Sequence, residues 1–141
     1  MKAFWLGFLR LVTAGVIVFG LLLVVAPALG REGFSLLVYG SGSRIGDFGS
    51  EAARYIELAH AVMGSVMAGW GTALLLVLRG EPSAQLRQKL SIFVISLAAW
   101  FVPDTAFSLI SGFWQNAVLN AVFAVLFAIP LAALLGRREG D

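Results

Sequence analysis

AVLNAVFAVLFAIPLAALL, residues 117–135, is nineteen residues long and carries no charge. A helix of that length covers about 28 Å, close to the roughly 30 Å of hydrocarbon in a bilayer. Three more stretches are as long and largely apolar, with no more than two charged residues each, approximately Phe4–Ala26, Ala53–Leu78 and Leu90–Ile110. The composition agrees. Of 141 residues 60% are hydrophobic and 13% charged, and the mean hydropathy is +0.91, whereas a soluble domain carries about 25% charged residues. So small a core cannot hide that much apolar surface from water, so lipid is the natural solvent.

The expected fold is therefore an all-α integral membrane protein, a single four-span domain over residues 1–141 forming a four-helix transmembrane bundle. Gly80-Glu81-Pro82-Ser83 separates the second and third spans, with Ser83 as an N-cap candidate, and Ser111-Gly112-Phe113-Trp114-Gln115-Asn116 makes a tight turn before the fourth. Such short connections make spans two, three and four antiparallel neighbours. Lys2, the apolar run after it and Ala26-Pro27-Ala28 resemble a signal peptide, but the apolar region exceeds the usual 7–15 residues, so a retained first span is expected. Residues 29–50 form the long connection. Its glycines make it flexible, and its apolar run Phe34–Tyr39 is too short to span, so it reads either as an interfacial or re-entrant segment or as a surface loop.

Lysine and arginine orient the chain. With the N-terminus in the cytoplasm, Lys2, Arg10, Arg79, Arg87, Lys89, Arg137 and Arg138 lie inside, and Arg31, Arg44 and Arg54 outside. Seven against three favours both termini in the cytoplasm and a multi-pass location in the inner (plasma) membrane. Arg10, about two turns into the first span, is expected to snorkel to the interface. No basic cluster suggests nucleic acid, and with no cysteine the chain has neither disulfides nor thiolate chemistry.

Asp104, directly after Pro103, is a carboxylate in the third span, a placement that costs roughly 2.5–3.5 kcal/mol on insertion scales and usually marks a functional interior site. Trp100, Asp104, Ser108 and Ser111 share a helical face; so do Glu57 and His60 on span two, and Asn116 and Asn120 on span four. In the cytoplasmic-N orientation all lie in the outer half of the membrane. The expectation is a pocket open to the outer side, with Asp104 supported by His60, Asn116, Asn120 or a proton of its own, and with Trp100, Phe101, Phe107, Trp70 and Phe123 as aromatic walls.

Glu57 and His60 have the i, i+3 spacing of di-metal bundles, but those need two such motifs and this chain has one histidine. A mononuclear site from Glu57, His60 and Asp104 lacks further ligands, and Met63 and Met67 lie on the helix of His60, where neither can reach the opposite face of a haem. No metal and no cofactor is therefore expected. The leading reading is non-catalytic binding of an amphipathic ligand (a lipid, isoprenoid or quinone) by Glu57, His60, Trp100, Asp104, Ser108, Asn116 and Asn120. One alternative is a structural or accessory subunit, in a homo-oligomer or with a membrane-protein partner, whose polar groups serve packing. Another is a membrane isomerase or hydrolase of a lipid-like substrate, with His60, Asp104 and Glu57 as acid/base candidates. No nucleophile elbow, phosphate loop or metalloprotease helix supports catalysis.

Small residues at intervals of four supply packing ridges: Ala61, Ser65 and Gly69, with Gly64, Ala68 and Thr72 beside them, and Ala124, Ala128 and Ala132 on span four.

Overall fold

The computed structural model describes residues 1–79 and 85–136, so the Ser83 cap and the terminal arginines Arg137 and Arg138 lie outside the described residues. Its helices are α1 (Lys2–Val25), α2 (Pro27–Tyr39), α3 (Ser50–Val77), α4 (Leu86–Ile110) and α5 (Trp114–Leu135), with a 3-10 helix over Arg44–Phe48; there is no strand among the described residues. All but α2 are long and apolar enough to cross a membrane. The chain divides into two compact units, one made of Met1–Thr13 with the described part of Leu74–Asp141, the other of Ala14–Ala73.

In the second unit, proline chemistry separates α1 from α2. Pro27 has no N–H and disfavours helical geometry in the residue before it, and Ala26 accordingly sits at φ −137°, ψ 61°. The amide of Ala26 closes the ladder of α1 on the Leu22 carbonyl, while its own carbonyl accepts from Leu29 and Gly30 at 3.0 and 3.4 Å. Pro27 then occupies the first helical position, where a missing donor costs nothing. Gly40 ends α2 in the left-handed region, φ 69°, its amide bonded to the Leu36 carbonyl.

Residues 29–50 are thus not a flexible surface loop. They hold most of a 13-residue helix and a 3-10 turn, and α2 at about 20 Å is too short to span. Buried Ser35 fastens the two pieces: its hydroxyl donates to the Ser41 carbonyl at 2.6 Å and accepts from the Ile45 amide at 3.2 Å. The Tyr39 and Phe48 rings meet edge to face at 6.1 Å.

Helices α1 and α3 meet backbone to backbone. A methyl group on Gly20 would lie 2.5 Å from the Gly64 carbonyl oxygen and 3.0 Å from the Ala68 nitrogen. Of the two ridges expected on span two, Gly64–Ala68 is therefore the one that packs; Ser65 and Gly69 are exposed. The alanine ridge of α5 is mostly outward, with Ala128 and Ala132 exposed.

In the first unit α4 and α5 form a hairpin. Gly112, at φ 83°, makes the left-handed turn. The Phe113 amide reaches the Ser108 carbonyl at 2.8 Å and the Gly112 amide reaches that of Leu109 at 3.2 Å, the double bond of a Schellman ending. Arg10 donates to the Leu78 carbonyl just past the end of α3, 3.0 Å away.

Candidate functional site

The hairpin turn sets the register of α5 against α4, and so decides which polar side chains meet. Asp104 and Ser108 are one helical turn apart on α4, and Asn116 lies in the first turn of α5. One amide nitrogen joins them: Asn116 Nδ2 donates to Asp104 Oδ1 at 3.0 Å and to Ser108 Oγ at 2.8 Å. Its two hydrogens are then both used, and the acceptors on either side fix the orientation of the amide. Ser108, buried, has a single proton to give, and the Asp104 carbonyl at 2.7 Å is a better acceptor than the Asp104 carboxylate at 3.3 Å.

Asp104 itself is half-buried. Its Oδ1 is held from α5, whereas Oδ2 has no partner among the described residues. No cation pairs with it either: among the described residues the ion pairs are Arg31–Glu32, Arg31–Glu57 and Arg44–Asp47. The carboxylate is thus fixed in position, with one acceptor oxygen available.

Around this cluster, Asn120 is buried one turn further along α5 and donates to Thr105 Oγ1 at 3.4 Å, a weak bond. Trp100, one turn before Asp104, is half-buried with its ring 6.2 Å from that of Phe101. Phe107, expected to wall the site, points away and is 72% exposed.

Glu57 and His60 are engaged elsewhere, against α2 in the other unit. Glu57 Oε1 pairs with an Arg31 nitrogen at 2.9 Å. His60 Nδ1 lies 2.7 Å from the Ile56 carbonyl, so that nitrogen carries the proton. Phe34 meets the imidazole edge to face at 5.1 Å. Gly30 lets α2 lie against the ring, since a methyl group there would stand 3.1 Å from His60 Cδ2 and 2.7 Å from Leu23 Cδ2. The imidazole is buried and its Nε2 has no partner among the described residues.

Comparison with protein families, curated proteins and solved structures finds no match. The site therefore has to be judged on its own chemistry. The structure joins Asp104, Ser108 and Asn116 by hydrogen bonds, sets Asn120 and Trp100 beside them, and commits Glu57 and His60 to α2. Arg31, Phe34, Gly30 and Thr105 were not singled out from the sequence. A signal existed for two of them: Arg31 and Phe34 carry the same i, i+3 spacing as Glu57 and His60. It becomes visible once Pro27 is read as the start of a helix. No group of three or more His, Cys, Asp or Glu that could hold a metal ion occurs among the described residues.

A buried acceptor without a donor costs about 1–3 kcal/mol. His60→Leu removes that acceptor and keeps most of the packing volume. Its thermal unfolding in mild detergent should stay within about 1 kcal/mol of wild type, or rise. A loss of several kcal/mol would mean that Nε2 has a donor after all.

Proposed function

We propose that the chain is a multi-pass protein of the inner (plasma) membrane, both termini cytoplasmic, that binds an amphipathic, lipid-like ligand without catalysis through the outer half of the α4–α5 hairpin. One observation carries this reading: half-buried Asp104 is held at Oδ1 by Asn116, while Oδ2 has no partner among the described residues. A purely structural cluster saturates both oxygens, because an unpaired carboxylate oxygen in lipid is costly. A binding site keeps one open. The group it accepts is a hydroxyl or amine donor on the polar end of the ligand (a lipid headgroup or an isoprenoid alcohol), and Trp100 supplies an apolar surface beside it. A quinone, which only accepts, fits in its reduced, hydroxyl-bearing form.

Asp104→Asn tests this directly. The new side chain can still offer Oδ1 to Asn116, so the hairpin survives, but the open acceptor becomes an NH2 donor. Native mass spectrometry of gently extracted wild-type protein should find a stoichiometric lipid-like adduct. Asp104→Asn should lose it while its unfolding stays within about 1 kcal/mol of wild type. Retention of the adduct by Asp104→Asn, or its absence from wild type, rejects the reading.

The two hydrogen bonds that Asn116 sends across the hairpin favour a second reading, in which the cluster only clamps α4 to α5 within a larger membrane complex. Copurifying subunits, with no bound lipid-like molecule, would be its result.

A further inference from the structure

The other end of the hairpin unit gathers positive charge. Arg10 on α1 donates to the Leu78 carbonyl at 3.0 Å, and Lys89 on α4 donates Nζ to the Arg79 carbonyl at 2.7 Å. Carbonyls in the last turn of a helix have no intrahelical donor, so each cation is anchored by a group that needs it. This draws Arg10, Arg79 and Lys89 around the end of α3, with Arg87 two residues from Lys89. Arg10, Arg79 and Arg87 are exposed and Lys89 is half-buried.

None of the four meets a carboxylate among the described residues, where every ion pair involves Arg31 or Arg44. Outside the described residues lie Glu81, Glu139 and Asp141 with Arg137 and Arg138, which together sum to one negative charge. The end of a helix contributes about −0.5. Two anchored cations and two exposed ones outweigh both.

Depth identifies the anion. α1 has 24 residues, about 36 Å, so its ends reach past the roughly 30 Å hydrocarbon layer. The Arg10 backbone lies about 12 Å along α1 from Lys2, but its guanidinium is held at the level where α3 ends, and a long arginine side chain reaches from that depth toward the headgroups. Exposed apolar side chains stand beside the cations on three helices: Leu11 at 67%, Leu76 at 51% and Ile92 at 42%. They offer contact for acyl chains below a headgroup held by the cations.

We infer that this end of the unit binds the phosphodiester of an anionic membrane lipid. Arg10 and Lys89 are positioned by the Leu78 and Arg79 carbonyls just past α3 and keep further N–H donors free, while Arg79 and Arg87 close on the phosphate from the aqueous side. The inference rests on the chain spanning the membrane, but not on the ligand at Asp104.

The test uses the full chain in mild detergent with equal amounts of phosphatidylglycerol and phosphatidylcholine, bound lipids being counted by native mass spectrometry. Wild type should prefer phosphatidylglycerol by at least about tenfold, given roughly a fivefold gain per cation near an anionic surface. Arg79→Gln/Arg87→Gln removes two cations whose side chains make no hydrogen bond among the described residues, so it keeps both anchors and should lower the preference by at least about fivefold, the share of one cation. Equal binding of the two lipids by wild type, or an undiminished preference in the double variant, overturns the inference. Inorganic phosphate that displaces the lipid at equal concentration assigns the site to a soluble anion and overturns it also. Asp104→Asn should retain the preference, which keeps the two sites apart. Carbonate extraction checks the spanning by itself, since release of the chain from membranes would reject that premise whatever the lipid result.

Discussion

Gly64→Leu should cost the protein at least about 3 kcal/mol, the upper end of the usual overpacking penalty. The reason lies in what blocks the new side chain. A Cβ at Gly64 runs into the carbonyl of Gly20 and stands 2.8 Å from the Leu23 Cβ, and neither is the movable tip of a flexible side chain. The helices can only separate. In lipid that loses the close packing which holds them together. Gly69→Leu is the matched control: it lies on the same helix, is exposed, and meets nothing within 4 Å. Unfolding in a graded series of denaturing detergent should show Gly64→Leu far below wild type and Gly69→Leu close to it. Equal midpoints for the two variants would rule out the α1–α3 crossing at Gly20 and Gly64.

The second large effect is expected at Asn116. Asn116→Leu removes both hydrogen bonds that its amide nitrogen makes, one of them to a carboxylate, and leaves Asp104 Oδ1 with only the 3.3 Å contact to Ser108. Hydrogen bonds to charged groups contribute about 1.5–3 kcal/mol, and a loss in that range is expected. Asn120→Leu breaks only the 3.4 Å bond to Thr105 and should cost under about 1 kcal/mol. A double-mutant cycle with Asp104→Ala, which removes the acceptor, isolates the coupling between α4 and α5. If Asn120→Leu proved the more damaging of the two, the hydrogen-bond assignment across the hairpin would have to be abandoned.

These contrasts mark what the sequence could disclose. The four long helices are legible because an apolar run of about twenty residues with two charges at most has few alternatives to a long apolar helix. Their ends were less legible: α3 begins at Ser50 and α4 at Leu86, several residues before the apolar stretches start, because helices continue into polar sequence that hydropathy does not register. Helix α2 was obscured by its own punctuation. Pro27 and four glycines from Gly30 to Gly42 resemble a loop, although Pro27 starts the helix and Gly40 ends it.

In the site, the pairing of Asp104 with Ser108 follows from i, i+4 spacing. Which asparagine joins them does not, because the left-handed turn at Gly112 sets that register. For Glu57 and His60, spacing specified a shared face but not the surface opposite. That surface is Arg31 and Phe34 on a helix the hydropathy profile conceals.

The glycine crossing of α1 and α3 also has a thermal consequence. Heat capacity of unfolding comes mainly from apolar surface newly exposed to water, and it bends the stability curve of a soluble protein into a dome. In the membrane proposed for the chain, parting two glycine-lined helices wets almost nothing. The crossing should therefore weaken nearly linearly on warming, with no temperature of maximum stability and no cold-induced separation.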